Sequence, residues 1–288
     1  MQIELKDLIL VPVDFTETSE NAIMHAAKLA ATMQYSVHLF HVINRESQRE
    51  LRKKDEDRGD LTERLTALGE KYIAPENVAF EVSTHEGSIY SEIEEALISE
   101  GAKLMVMGTH GKKGLQFIFG SDALKVVTKS PVPVIVVQDR DFDEGYNRIV
   151  FPVNDFTENR QQVQWAVHIA KIFDSEILVF VQKEADSGME TKMSIVTQQI
   201  AESFDEEKIK YRIFESEKVS NYTEQLLEFA AEERADLITI MTDSDAYSPD
   251  FPIAGWDEKL MFNPMQIPIL CINPKELNQV YFRYVGIL

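Results

Sequence analysis

Short apolar runs at 8–13, 36–43, 78–83, 103–107 and 133–137 alternate with stretches such as Ser19–Met33 and Ser88–Ser99, in which apolar residues recur at helical spacing. The runs are rich in β-branched residues, which suit a buried pleated surface. Strands separated by helices need crossover connections, so the pattern predicts a mainly parallel sheet covered by helices on both faces. Ligands of such sheets lie beyond the carboxyl ends of the strands. Val13-Asp14 and Met107-Gly108, at the ends of the first and fourth runs, are therefore the first places to look for chemistry.

The pattern then repeats. IVFPVNDFTE at 149–158 echoes LILVPVDFTE at 8–17 with one extra residue, Asn154, and HIAKIFDSEILVFVQ at 168–182 resembles HAAKLAATMQYSVHLFHV at 25–42. RADLITIMTDSD at 234–245 matches GAKLMVMGTHG at 101–111, and GWDEKLMFNPMQIPILCI at 255–272 aligns without a gap on GSDALKVVTKSPVPVIVV at 120–137. Four blocks in one order predict two copies of one unit. The expected division is 1–140, a charged, glycine-containing linker at 141–148, a second unit at 149–276 and a C-terminal extension at 277–288. The aromatic residues of that extension suit packing within the chain or a dimer contact. Arg45 to Lys71 mixes both charges at helical spacing and reads as a solvated helical excursion, while Ser83 to Ser91 reads as a pocket edge or as a plain strand–helix turn.

In the first copy, Gly108, Gly111, Gly120 and Ser121 follow the fourth apolar run directly (KLMVMGTHGKKGLQFIFGSDALKVV). Glycines let backbone N–H groups approach an oxyanion, and a helix starting near Ser121 offers unpaired N–H groups and a hydroxyl. An ordinary strand–loop–helix turn is the alternative. His110 reads as a phosphate neighbour, a proton shuttle or a solvent-facing side chain, and Lys112 and Lys113 as partners of the β and γ phosphates or as plain surface. Asp14 is placed to accept hydrogen bonds from a ribose or a base, or to act as a turn residue beside Thr16, Thr18 and Ser19, which compete for a helix cap. The loop 14–19 contains no glycine, which argues against a dinucleotide fingerprint there, and no Walker A motif occurs.

The second copy lacks this loop chemistry. Gly108 becomes Met241, Gly111 becomes Ser244 and Ser121 becomes Trp256, with only Gly255 in the place of Gly120. Asp243 and Asp245 would set carboxylates against phosphate, so Asp155, the counterpart of Asp14, is not expected to serve a nucleotide. Trp256 is expected to fill the vacated space. Two aspartates are too few for a calcium or magnesium site, and no metal site is expected.

Charge sharpens the contrast between the halves. The whole chain of 288 residues carries a formal charge of −20, which argues against nucleic acid and anionic membrane surfaces as partners. Residues 1–140 hold 16 basic against 22 acidic side chains, and 141–288 hold 13 against 27, so the acidic excess concentrates where the glycines are missing. The single cysteine, Cys271, sits in an apolar run and reads as core. The N-terminal segment lacks the basic start of a signal peptide, and a cytoplasmic protein is expected.

VPVDFT at the first strand, FHV at the second, and MGTHG followed by GS and PVPVIVV resemble the universal stress proteins, and the duplication resembles their tandem form. The resemblance implies two tandem Rossmann-like (adenine nucleotide alpha hydrolase-like) domains, each a five-stranded, mainly parallel sheet with helices on both faces. It implies ATP, with or without Mg2+, held through G-x-x-G, nine residues, then G-[ST]. Pro12, Val13 and Asp14 would then flank adenine and ribose, Val42 would contact the base, and Gly108, Gly111, Gly120 and Ser121 would hold phosphates. Here eight residues separate Gly111 from Gly120, one fewer than in that pattern. The resemblance further implies that Val132–Val137 and Ile267–Ile272 pair, joining the halves as an intramolecular pseudo-dimer, with a homodimer as a further expectation. Pro133 and Pro268 suit strand starts. Nothing beyond His110 and the lysine pair Lys112 and Lys113 presents itself to orient water or stabilise developing charge, so a nucleotide-binding regulatory protein is expected, with a nucleotide-independent interaction module or a slow ATPase as the alternatives.

Overall fold

The computed structural model describes residues 7–109, 121–142, 145–154, 160–242 and 256–273. The first half runs β1 (Leu8–Pro12), α1 (Glu17–Met33), β2 (Ser36–Ile43), α2 (Arg45–Lys54), α3 (Arg58–Tyr72), β3 (Phe80–Glu86), α4 (Ile89–Ser99), β4 (Leu104–Gly108), α5 (Ser121–Lys129) and β5 (Val134–Val137). The second runs β6 (Arg148–Val153), α6 (Arg160–Phe173), β7 (Glu176–Val181), α7 (Ser187–Glu206), β8 (Lys210–Glu215), α8 (Tyr222–Glu232), β9 (Leu237–Met241), α9 (Trp256–Met261) and β10 (Ile269–Ile272).

All ten strands form one sheet in the order β3-β2-β1-β4-β5-β10-β9-β6-β7-β8. Every neighbouring pair is parallel except the central one, where β5 and β10 run antiparallel with Ile269 opposite Val136 and Cys271 opposite Val134. The registers of the two halves correspond residue by residue: Met105 pairs with Val134 as Ile238 pairs with Ile269, and Pro12 pairs with Phe40 as Pro152 pairs with Phe180. That correspondence reproduces the gapless alignment of the closing segments. Alternate strand residues feed two cores, one containing Ile9, Val11, Leu104 and Val106 and the other Leu10, Met105 and Met107, so the sheet is buried on both faces.

Two sequence readings change. The excursion at 45–71 is two helices, because Asp57 caps α3 and forms a capping box with Asp60. It is not all solvated, since Leu61 and Leu65 of α3 are buried and Leu65 belongs to the core. The stretch 141–148 is likewise no free tether. Phe142 and Tyr146 are buried, their rings meet Phe173 edge-on, and Arg148 already begins β6.

Side-chain amides cross the junction in both directions. Gln138 Nε2 donates to the Asn263 carbonyl (3.0 Å), and Asn273, its counterpart in the other half, donates through Nδ2 to the carbonyls of Val127 (2.7 Å) and Ser130 (2.8 Å). Gln138→Ala is expected to lower stability by about 0.5–1.5 kcal/mol in chemical denaturation, because it removes one buried hydrogen bond from the Asn263 carbonyl, which keeps the Gln266 N–H (3.1 Å) as its other donor.

The connection is also pinned to α1. Asn21 Nδ2 donates to the Arg140 carbonyl (2.9 Å), which also lies 2.9 Å from His25 Nε2, and Lys28 Nζ donates to the Phe142 carbonyl (2.6 Å). Burial drives the His25 imidazole down to a pKa of about 4, against the smaller opposing effect of its bond to Arg140. The folded protein therefore holds His25 neutral where the unfolded chain takes up a proton, so stability is full above pH 6.5 and falls as pH drops toward 4. Urea titrations across that window are expected to lose roughly 3 kcal/mol from this group, and His25→Asn to flatten the slope.

Candidate functional site

At the carboxyl end of β1 the chain turns sharply into α1. Phe15 takes φ +62°, uncommon for a residue with a side chain, and its ring packs on His41 (4.8 Å) beneath the Arg64 guanidinium (4.1 Å). Asp14 Oδ1 accepts from the backbone N–H (3.1 Å) and hydroxyl (2.5 Å) of Thr16, and Thr16 in turn caps α1 by accepting from the Ser19 N–H. Asp14 is thus a turn residue and Thr16 is the cap. The carboxylate remains half-buried at the rim of the strand ends.

Pro12, Val13, Asp14 and Val42 line one narrow cleft together with Phe40, His41, Asn44, Ile89 and Ile93. The structure therefore brings together all four residues expected at adenine and ribose. Its free volume of about 20 Å³ is no more than one water's worth. His41 Nδ1 lies 2.7 Å from the Val13 carbonyl, and burial lowers the imidazole pKa, so the ring is neutral with the proton on Nδ1. Its Nε2 is buried without a partner. A larger open groove of about 750 Å³ lies between α1 and the 141–147 connection, but it mixes Lys28 with Asp141 and Asp236 and gathers none of the sequence motifs.

Gly108 ends β4 beside β1, and the first turn of α1 lies against it. A Cβ here would collide with the Thr18 carbonyl, coming within 2.7 Å of its carbon and 3.0 Å of the Ser19 nitrogen. Close helix packing therefore demands a glycine here. Gly108→Ala is expected to cost about 1–3 kcal/mol in thermal or chemical denaturation. His110, Gly111, Lys112, Lys113 and Gly120 lie outside the described residues, as do Asp155, Asp243, Asp245, Gly255 and 277–288. Ser121 is the first residue of α5, where sequence placed a helix start, and Trp256 is the first of α9.

The matching position in the second half is closed by a residue that sequence reasoning did not single out. Tyr222, the first residue of α8 and the counterpart of Ile89, reaches the strand ends and donates its hydroxyl to the carbonyl of Phe180 (2.6 Å). The hydroxyl also lies 3.4 Å from the Val153 carbonyl. Phe180 stacks on both Tyr222 (18°) and Phe229 (19°), where the first half has Phe40, Ile89 and Ala96. Burial holds the Tyr222 hydroxyl protonated far above the usual phenol range. The only sequence signal was an aromatic residue aligned with an aliphatic one. Tyr222→Ala is expected to cost about 3–5 kcal/mol on denaturation, more than Ile89→Ala at the opposite cleft.

A parallel α/β sheet with a cleft at its strand ends belongs to the Rossmann-like class. The sequence profile of the universal stress protein family matches residues 7–138. Among individual proteins, universal stress protein MJ0577 of Methanocaldococcus jannaschii is 30% identical over 154 residues, covering 45% of this chain and 93% of its own length. Universal stress protein MJ0531 of the same organism is 28% identical over 141 residues, covering 45% and 81%. This chain belongs to the universal stress protein family. A universal stress protein of solved structure from Archaeoglobus fulgidus has the same fold across both halves, with a TM-score of 0.69 at 20% identity, covering 92% of this chain and 98% of the other.

Proposed function

We propose that this chain is a tandem universal stress protein of two units, 1–140 and 149–276, of which the first binds ATP or a related adenine nucleotide and the second is a degenerate regulatory partner in an intramolecular pseudo-dimer. The observation that carries this reading is the contrast at one position: Ile89 leaves only aliphatic side chains over the first strand ends, and Tyr222 is hydrogen-bonded into the second. Adenine enters by parting Ile89 and Ile93 from Val13 and Val42, with Asp14 beside the ribose. Gly108, Gly111, Gly120 and Ser121 act on the phosphates through the family motif, with His110, Lys112 and Lys113 beside them.

Magnesium arrives with the phosphates, since among the described residues no group of three or more His, Cys, Asp or Glu is placed to hold a metal ion. The role is regulatory, with at most slow hydrolysis. No described helix is long and apolar enough to cross a membrane. The cytoplasmic location and a possible role for the extension in homodimer contact belong to the same proposal.

Titration calorimetry with magnesium ATP, combined with mass analysis of small molecules released on denaturation, is expected to give one adenine nucleotide per chain. Absence of heat and of any thermal shift at millimolar nucleotide would favour a nucleotide-independent interaction protein.

A further inference from the structure

A second constellation lies on the outer strands of the first half, on the face covered by α4. His38 of β2 is buried, with Nδ1 hydrogen-bonded to the carboxylate of Glu100, the residue that ends α4. Its Nε2 lies 2.9 Å from the hydroxyl of Ser83 on β3. A carboxylate only accepts, so in neutral His38 the proton sits on Nδ1 and Nε2 is the acceptor for the Ser83 O–H. Ser83 is only partly buried, on the terminal strand of the sheet. Hydroxyl, imidazole and carboxylate therefore stand in the order in which a serine nucleophile, its base and the group that orients the base are arranged.

The fold does not require these residues. The registers place Leu178 at the position of His38 and Phe214 at that of Ser83 in the second half. Glu233 stands where Glu100 does and pairs with Arg212 instead (3.1 Å). Apolar side chains satisfy the same scaffold, so a partly buried polar chain in the first half has no packing necessity behind it. His85, two residues beyond Ser83 on the same strand face, packs its ring 5.0 Å from Phe40 and is half exposed. Its Nδ1 lies 3.7 Å from Glu92 Oε2.

We propose that Ser83, His38 and Glu100 form an acyl-transfer site for small uncharged or cationic carboxylic esters. Glu81 on the same strand face and Glu92, 3.7 Å from His85, disfavour anionic substrates. The Ser83 oxygen bonds to the ester carbonyl carbon while its proton passes to His38 Nε2. The carbon–oxygen bond to the leaving alcohol then breaks and the alcohol takes that proton. Water, deprotonated by His38, releases the acid and restores Ser83. Glu100 is a positioning residue that acts through His38.

The test is reaction of the full chain with a fluorophosphonate, read by peptide mass analysis, alongside hydrolysis of p-nitrophenyl acetate. One phosphonate on Ser83 is expected, absent in Ser83→Ala and formed about 10²-fold more slowly in His38→Gln. Glu100→Gln, at the more exposed helix end, is expected to lower kcat for the ester about 10-fold or more with KM and melting temperature unchanged, and it carries the test should His38→Gln not fold. An unlabelled native protein, labelling at another residue, or a Glu100→Gln variant as fast as the native chain would overturn the proposal.

Discussion

The antiparallel pairing of β5 with β10 is the constraint from which the rest of the molecule follows. Each half by itself would be a five-stranded parallel sheet with an open edge at its last strand, and unpaired edges invite uncontrolled association. Joining those two edges makes one ten-stranded sheet and two cores that run across both halves. The reciprocal amides of Gln138 and Asn273 and the buried rings of Phe142 and Tyr146 then lock the junction. Because the central pair is antiparallel, the carboxyl ends of the strands in the two halves point to opposite edges of the sheet, so the two clefts are well separated and free to diverge.

Divergence is visible at matching places in each half. At the strand ends, Ile89 corresponds to Tyr222 and Ala96 to Phe229, which turns an aliphatic cleft into an aromatic stack with a hydrogen-bonded hydroxyl. At the outer strands, His38 and Ser83 correspond to Leu178 and Phe214. There the second half is the more apolar, and the first half keeps polar groups in its partly buried edge. A duplicated scaffold leaves one copy free to change its residues while the other keeps them.

Much of this fold was legible in the sequence because strand and helix patterns alternate and the copies align. The third strand was placed two or three residues early, at 78–83 against the observed Phe80–Glu86, because an edge strand carries polar residues such as Ser83 and His85 that break an apolar run. The break between α2 and α3 was hidden because Asp57 reads as one more charge until its capping bonds are seen. Pro12, Val13, Asp14 and Val42 were readable from motif and strand ends, and Ile89 falls in the stretch 83–91 read as a pocket edge, whereas Ile93 and Tyr222 were not singled out, since a helix face over a strand end has no linear signature. The contact that Gly108 makes with α1 was not legible, because it depends on a helix angle absent from the sequence. His38, Ser83 and Glu100 lie too far apart in the chain to form any motif.

The central claim is that the first cleft admits a nucleotide and that the residue covering the strand ends decides it. Its most direct measurement is calorimetric nucleotide binding to Ile89→Tyr, which gives the first cleft the plug of the second. The account predicts that the native chain binds one equivalent of adenine nucleotide and that Ile89→Tyr, still folded, binds none. Equal binding by the native and Ile89→Tyr chains would contradict it.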